Sequence, residues 1–175
     1  SPLHGVTVIL KDSFATADRM QTTAGSLALE GLRAPKDAFV VRKLREAGAV
    51  ILAKANCHEF SFGMATVSSR GGQTLNPYAF DRQPGGSSGG TAAAVACGFG
   101  AIGIGEDTAG SIRSPAAFNS LVGMRPTLGL VSRSGIVPLA PTRDTAGPIT
   151  LTVSDAAAVL DAIAGYDPDD PVTAS

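Results

Sequence analysis

The fold class follows from residues 37–53, DAFVVRKLREAGAVILA. Asp37 stands where a helix N-cap is expected and Gly48 where a helix ends, and the apolar positions between them recur at helical spacing. The β-branched run at residues 49–53 then predicts a strand. Residues 6–10 (VTVIL) predict another buried strand before the helix. This order of strand, connection, helix and strand builds a parallel sheet covered by helices, so we expect an α/β fold.

The composition favours one folded domain. The chain has 175 residues, of which 44% are hydrophobic and 17% charged, and this supplies enough apolar surface for a single core. Its 14 basic and 15 acidic side chains leave a formal charge of −1. We therefore expect no direct nucleic-acid ligand, because no basic surface is available to neutralise phosphates. We expect no membrane association either, since no apolar run is long enough for a spanning helix.

The cysteines indicate the cellular compartment. Cys57 and Cys97 lie in segments without the spacing of paired cysteines, and the sequence has no Asn-x-Ser/Thr site and no recognisable signal peptide. We therefore expect an intracellular, cytoplasmic protein without disulfides.

Further elements follow along the chain. Residues 91–97 (TAAAVAC) predict a helix, and residues 99–105, where glycine alternates with apolar residues, predict a buried strand. Residues 154–164 (SDAAAVLDAIA) predict another helix with Ser154 as its N-cap.

The C-terminal segment has a different composition from the rest. Residues 166–175 (YDPDDPVTAS) are acidic and rich in proline, which is typical of a linker or a frayed tail. We therefore assign residues 1–165 to the domain.

Loops rich in glycine and serine separate the predicted elements. Many of the 21 glycines lie at residues 84–90, 105–111 and 129–135. Glycine permits turns with positive φ and close approach of the backbone to another group. Loops of this kind, held by a rigid sheet, commonly carry functional residues.

Familiar glycine motifs do not fit their required context. Residues 98–103 (GFGAIG) match a dinucleotide-binding pattern, but the helix precedes these glycines and no acidic residue occurs from 108 to 143. Residues 85–89 (GGSSG) match the nucleophile elbow of α/β-hydrolases, but that motif requires a later histidine and both His4 and His58 come earlier. The same segment lacks the Lys-Ser/Thr pair of a phosphate-binding loop.

The sequence indicates neither a metal site nor a cofactor. Cys57, His58 and Glu59 are adjacent rather than spaced as ligands on one face of a helix. A serine nucleophile activated by lysine remains as a hypothesis.

Two of the four lysines are candidates for the base. Lys36 and Lys43 are expected in solvent, whereas Lys11 and Lys54 each follow an apolar strand. That edge is where open α/β sheets bind their ligands. The residues alone leave Lys11 and Lys54 as alternatives.

An ordered set of motifs extends from residue 10 to residue 148. It comprises Leu10-Lys11-Asp12, residues 84–90 (PGGSSGG), 105–117 (GEDTAGSIRSPAA), 123–127 (GMRPT) and 144–148 (DTAGP). In this order they resemble the amidase signature family of amide hydrolases. The resemblance implies the N-terminal portion of that fold, with a mixed, largely parallel sheet flanked by helices.

The resemblance also implies the roles of individual residues. Ser111 corresponds to the nucleophile, Ser87 to the bridging serine that follows a cis peptide bond, and Lys11 to the base, which leaves Lys54 a structural role. An ordinary lysine is protonated at neutral pH, so this chemistry requires an environment that favours the neutral amine.

The same resemblance implies an oxyanion hole. Its donors are the backbone N–H groups of Thr108, Ala109, Gly110 and Ser111. Many relatives carry glycine where this chain has Ala109, and a positive φ at that position would strain alanine by about 1–2 kcal/mol.

The expected function is hydrolysis of a small-molecule amide through a serine acyl-enzyme. One alternative is the glutamine-hydrolysing subunit of a tRNA-dependent amidotransferase, and another is a catalytically silent fragment of a longer amidase. Two kinds of protein partner are left open, namely a second copy of the chain and a C-terminal part of the domain.

Overall fold

The computed structural model describes residues 1–174. The strands are β1 (Thr7–Lys11), β2 (Val50–Ala55), β3 (Val67–Ser68), β4 (Gly72–Gln73), β5 (Ile102–Asp107), β6 (Val122–Gly123) and β7 (Thr145–Thr150). The α-helices are α1 (Phe39–Glu46), α2 (Gly89–Ala96), α3 (Arg113–Phe118) and α4 (Val153–Ile163). Short 3₁₀ helices cover Leu27–Leu29, Glu59–Ser61 and Pro171–Ala174.

The central sheet has the strand order β2-β1-β5-β7-β6. Strand β1 runs parallel to both β2 and β5, whereas β7 runs antiparallel to β5 and β6. The α/β class and the mixed sheet flanked by helices are thus confirmed. Because β1 and β5 are parallel neighbours, their carboxyl ends meet at one edge of the sheet. Lys11 and Asp107 therefore lie at the same edge.

Two apolar clusters hold the helices on the sheet. The larger cluster joins the sheet to α1 and α4 through Leu10, Leu44 and Val159, which are fully buried. The smaller one joins α2 and α3 to the sheet through Ala92 and Ile149. Charged residues are absent from α2, as expected for a helix buried along most of its length.

The predicted helix caps differ from the observed ones. Asp37 does not cap α1, because its carboxylate accepts the N–H of Ala17 at 2.7 Å and pairs with Arg45 at 3.1 Å. Ala38 occupies the N-cap position without a side-chain hydrogen bond. Ser154 does not cap α4 either. Thr152 has the extended backbone of an N-cap, and its hydroxyl accepts the N–H of Asp155 at 3.1 Å.

The observed ends of one helix and one strand also differ from the predicted ends. The helix predicted at residues 91–97 begins earlier, at Gly89, and the strand predicted at 99–105 spans Ile102–Asp107. Glycines before residue 102 form the turn that leads into β5, where Gly98 has a φ of 74°. The predicted strand was therefore placed too early because the turn glycines were included in it.

The C-terminal segment is packed rather than frayed. Asp167 accepts a hydrogen bond from Ser132 at 2.5 Å, and Asp170 accepts the N–H of Arg133 at 2.8 Å. The guanidinium group of Arg133 also pairs with Asp170. These partners correct the expectation of a linker or frayed tail at residues 166–175 for all of them but Ser175, which lies outside the described residues.

Two further findings concern expectations from composition. Cys57 and Cys97 are both free thiols, the first buried and the second exposed. Within residues 1–174, no helix combines the length and the apolar character needed to cross a membrane.

Candidate active site

Lys11 is the fully buried terminal residue of β1. Its Nζ is hydrogen-bonded to Ser87 Oγ at 2.7 Å and lies 2.8 Å from Glu106 Oε2. A lysine in the protein interior loses the hydration of its charged form, so its partners determine its state. The structure thus joins two of the sequence-predicted site residues through a buried hydrogen bond.

Ser87 follows a cis peptide bond from Gly86, as the family resemblance implied. The Ser87 side chain is fully buried, and the backbone carbonyl of Ser87 accepts the N–H of His58 at 3.0 Å. A Cβ atom at Gly86 would come within 2.7 Å of the Met64 backbone. Glycine is therefore required where this loop passes closest to the neighbouring chain segment.

Ser111 lies between β5 and α3, and only 7% of the residue is exposed. Its carbonyl accepts the N–H of Ser88 at 3.2 Å, which ties the loop of Ser111 to the residue after Ser87. The Ser111 hydroxyl has no hydrogen-bond partner within residues 1–174. The structure therefore brings the two serine loops together, but it holds only Ser87 in a hydrogen bond to Lys11.

Asp107 organises the backbone of the Ser111 loop. Its carboxylate accepts the N–H of Gly110 at 2.7 Å and of Ile112 at 3.0 Å, and it pairs with the guanidinium group of Arg113 at 3.2 Å. Burial alone would raise the pKa of the Asp107 carboxyl group. The hydrogen bonds from Arg113, Ile112 and Gly110 outweigh that effect and lower this pKa.

The backbone donors of the expected oxyanion hole divide into two groups. The N–H of Gly110 is engaged by Asp107. The N–H groups of Thr108, Ala109 and Ser111 have no acceptor in the described part of the chain. Three donors of the predicted set are thus free to bind an oxygen atom.

Ala109 does not carry the strain considered from the sequence. The positive φ of this loop lies at Gly110, at 136°, and Ala109 is absent from the non-glycine residues with positive φ. Alanine is therefore compatible with the backbone at position 109.

Sequence reasoning drew no inference from Glu106, which lies in contact with Lys11. This side chain is 1% exposed, and its carboxyl group contacts both Lys11 and the hydroxyl of Thr108, the latter at 2.9 Å. The sequence contained a signal for such a contact, because a carboxyl group within the buried glycine-rich strand IGIGED requires a hydrogen-bonded or cationic partner.

Lys54 occupies a separate environment. Its Nζ donates to the carbonyl of Gln21 at 2.8 Å and to the hydroxyl of Thr22 at 2.6 Å. Burial lowers the pKa of Lys54 to about 8, although nearby carboxylates, that of Asp12 foremost, oppose the shift. Its amine therefore loses a proton more readily than that of an ordinary exposed lysine, but it contacts neither serine of the site.

Comparisons with known proteins identify relatives of this arrangement. The model of the Amidase family matches residues 1–175. A probable amidase of Arabidopsis thaliana is 51% identical over 98% of this chain and 34% of its own length. The A subunit of the glutamyl-tRNA(Gln) amidotransferase of Carboxydothermus hydrogenoformans is 51% identical over 99% of this chain and 36% of its own length.

A solved structure agrees with these sequence matches. Native peptide amidase from Stenotrophomonas maltophilia is 52% identical and superposes with a TM-score of 0.96, over 100% of this chain and 37% of its own. The chain thus spans about a third of the length of the relatives it matches. The family match over all its residues, together with this likeness in sequence and fold, shows that the chain belongs to the amidase family, the family of the amidase signature.

Proposed function

We propose that the protein carrying this chain hydrolyses the C–N bond of a carboxylic amide, with Ser111 as nucleophile. Ser87 bridges Ser111 to Lys11, which serves as the base. The observation that carries this proposal is the buried hydrogen bond of 2.7 Å between Lys11 Nζ and Ser87 Oγ, beside a loop in which the Ser111 hydroxyl has no hydrogen-bond partner among residues 1–174. This arrangement supplies a path for a proton away from an attacking serine.

The first half-reaction forms an acyl-enzyme. Ser111 Oγ attacks the amide carbonyl while its proton moves to Ser87 Oγ, and the proton of Ser87 moves to the neutral amine of Lys11. Collapse of the tetrahedral intermediate breaks the C–N bond. The same relay, run in reverse, protonates the departing amine or ammonia.

The second half-reaction consumes water. A water molecule attacks the acyl group on Ser111 and gives up its proton through the same residues, and the carboxylic acid leaves. In both halves the oxyanion is stabilised by the free N–H groups of Thr108, Ala109 and Ser111. One such donor is worth about 2.7–4 kcal/mol to the transition state.

An active-serine probe tests the nucleophile. A fluorophosphonate should label Ser111 in the intact protein, and Ser111→Ala should abolish the label. Ser114→Ala is the matched control, because Ser114 lies three residues away on α3 and belongs to no part of the proposed relay. Labelling that persists in Ser111→Ala, or is lost in Ser114→Ala alone, would refute the assignment.

The relatives favour a second candidate of narrower scope. Several of the proteins about 50% identical to this chain are glutamyl-tRNA(Gln) amidotransferase A subunits. A glutamine-hydrolysing subunit would release ammonia from glutamine and would depend on partner subunits. Ammonia release from simple amides by the purified protein alone would favour the general amidase instead.

A further inference from the structure

A buried carboxyl group lies beside the proposed base. Glu106 Oε2 is 2.8 Å from Lys11 Nζ, and the backbone carbonyl oxygen of Glu106 is 3.3 Å from the same nitrogen. Both side chains are excluded from solvent, with exposed fractions of 0% and 1%. The pair can exist as ammonium and carboxylate or as neutral amine and carboxylic acid.

The hydrogen bonds on the far side of Glu106 distinguish these two states. Thr108 Oγ1 lies 2.9 Å from Glu106 Oε1 and is also hydrogen-bonded to Asp144 Oδ1. A threonine hydroxyl has one proton, and an ionised carboxylate has none. If Glu106 and Asp144 were both ionised, the single hydroxyl proton of Thr108 could be donated to only one of the two carboxylates. The hydroxyl oxygen would then face the other carboxylate oxygen with no proton between them.

A proton on either carboxyl group would resolve this conflict, and the backbone N–H groups that both oxygens of Asp144 accept favour Glu106 as its site. The Oε1–H of Glu106 then donates to Thr108 Oγ1, and the Thr108 hydroxyl donates to Asp144. Asp144 is already a multiple acceptor, because its Oδ2 takes the N–H groups of Leu139 and Ala140, each at 2.9 Å. Every hydroxyl and carboxyl contact in this chain of groups is then satisfied.

The contacts of Lys11 fit the same state. A neutral amine has two N–H bonds and one lone pair. With the proton on Glu106, the two N–H bonds donate to the backbone oxygen and Oε2 of Glu106, which leaves the lone pair to accept from the hydroxyl of Ser87 across the 2.7 Å contact. This is the orientation in which a base accepts a proton from Ser87.

We propose that Glu106 holds the proton that it shares with Lys11, so that Lys11 faces Ser87 as a neutral amine. Relative to the ion pair, one Nζ–H bond is broken and one Oε1–H bond is formed, with no change in proton count or net charge. Glu106 acts through Lys11 and touches no substrate, so it is a positioning residue. This inference deepens the proposed function and rests on it.

The other ionisable groups around Glu106 are compatible with this proton. Burial raises the pKa of the Cys57 thiol to about 12, so the thiol is neutral. Asp107 directs its carboxylate to Arg113, and Asp12 accepts hydrogen bonds from Thr23. Helix α2, which packs against β5, brings no ionisable side chain.

Infrared difference spectroscopy on the intact protein locates the proton. At neutral pH the wild type should show the C=O stretch of a buried carboxylic acid, and Glu106→Gln should lack it. Glu46→Gln is the control and should keep the band, because Glu46 is an exposed partner of Arg42. Isotope labelling of the glutamates assigns the band in the wild type itself, so the test survives if Glu106→Gln fails to fold. Absence of the band in the wild type would overturn the proposal.

The pH dependence of Ser111 labelling provides an independent readout. Glutamine at position 106 reproduces the protonated acid, since its N–H donates to Thr108 and its carbonyl accepts from Lys11. The acid limb of the labelling-rate profile should therefore lie at the same pH in the wild type and in Glu106→Gln. If Glu106 is ionised instead, loss of its charge eases deprotonation of Lys11 and moves that limb to lower pH by about one unit or more. Such a shift would contradict the proposal.

A third variant tests the positioning role. Glu106→Met removes both hydrogen-bonding atoms and should lower the labelling rate by roughly tenfold or more, whereas a wild-type rate would contradict the role.

The infrared band does not depend on which serine is the nucleophile. Failure of the proposed function therefore appears as labelling that is insensitive to Ser111→Ala, and failure of this inference appears as a missing band.

Discussion

Lys11 Nζ and Ser87 Oγ lie 2.7 Å apart in the interior of the protein, although 76 residues separate them in the chain. The contact exists because β1 ends at Lys11 and the loop before α2 returns to that end of the sheet. Both side chains are fully buried, so water does not compete for this hydrogen bond.

Replacement of Lys11 should remove most of the proposed amidase activity. Lys11→Met in the intact protein should lower kcat/KM by about 10²–10⁴-fold, the usual contribution of a general base. Lys54→Met is the matched control and should keep wild-type kcat/KM, because within residues 1–174 the amine of Lys54 is hydrogen-bonded to Gln21 and Thr22 and to no residue of the proposed relay. Equal losses in the two variants would contradict the assignment of the base.

A folding defect can be separated from this loss of activity. Lys11→Met leaves Oε2 of Glu106 buried without a hydrogen-bond donor, which lowers the free energy of unfolding. The double variant Lys11→Met/Glu106→Met removes both partners of this contact, so it should recover part of the lost Tm without recovering kcat/KM. Recovery of both would show that the lysine served stability alone.

Substitutions of Gly110 and Ala109 should lower the free energy of unfolding by different amounts. Gly110→Ala should lower the free energy of unfolding by about 1–3 kcal/mol, because its φ of 136° is unfavourable for a residue with Cβ. Space is not limiting there, since the nearest atom to the added Cβ is Met64 Cε at 3.8 Å. Ala109→Gly should cost only about 0.4–1 kcal/mol through greater freedom of the unfolded chain. Urea unfolding checks both values, and a gain of stability in Ala109→Gly would indicate strain at position 109 after all.

Asp107→Asn should destabilise the protein in a pH-dependent manner. The wild-type carboxylate accepts three backbone N–H groups and pairs with Arg113 and Arg125, so its loss should cost about 1–3 kcal/mol at neutral pH. The pKa of Asp107 is lowered in the folded state from its ordinary value of 3.8. Its stabilising contribution is therefore complete above that value and declines as the pH falls through the lowered one. Unfolding curves of the wild type and the variant should converge in acid, and a gap that stays constant down to pH ~2 would contradict this account.

Lys54 should react with acylating reagents at a lower pH than the exposed lysines. Its pKa of about 8 means that half of its amine is neutral near that pH. Trace labelling with acetic anhydride followed by peptide mass spectrometry should give a midpoint near 8 for Lys54. Lys36, which is exposed and paired with Asp169, is the internal comparison. Coincident midpoints for the two lysines would show that burial does not perturb Lys54.

Local sequence patterns predicted the kinds of elements but not all their ends. The order of strand and helix in residues 37–53 was sufficient for the α/β class, because apolar spacing reflects which face is buried. The cap at Asp37 failed because its carboxylate is used by Ala17 and Arg45. These partners lie outside the local pattern on which cap prediction depends.

The C-terminal segment shows the same limit. Its acidic, proline-rich composition predicted a tail, yet Asp167 and Asp170 bind Ser132 and Arg133 in the folded protein. The bonded residues are 35 and 37 positions apart. Composition reports the average solubility of a segment and contains no information about such distant partners.

The sequence alone determined the fold class, and its ordered motifs indicated the family and the serines at positions 87 and 111. Those motifs also implied Lys11 as the base, and tertiary structure decided that Lys11, and not Lys54, meets Ser87. Lys54 pairs in register with Leu10, whereas Lys11 pairs with Ala55, and side chains of successive strand residues point to opposite faces of the sheet. Two lysines that follow similar apolar runs in the sequence therefore lie on opposite faces of the sheet, and of the two only Lys11 reaches Ser87 and Glu106. The sequence does not show this, because contacts between distant segments form only when the strands assemble.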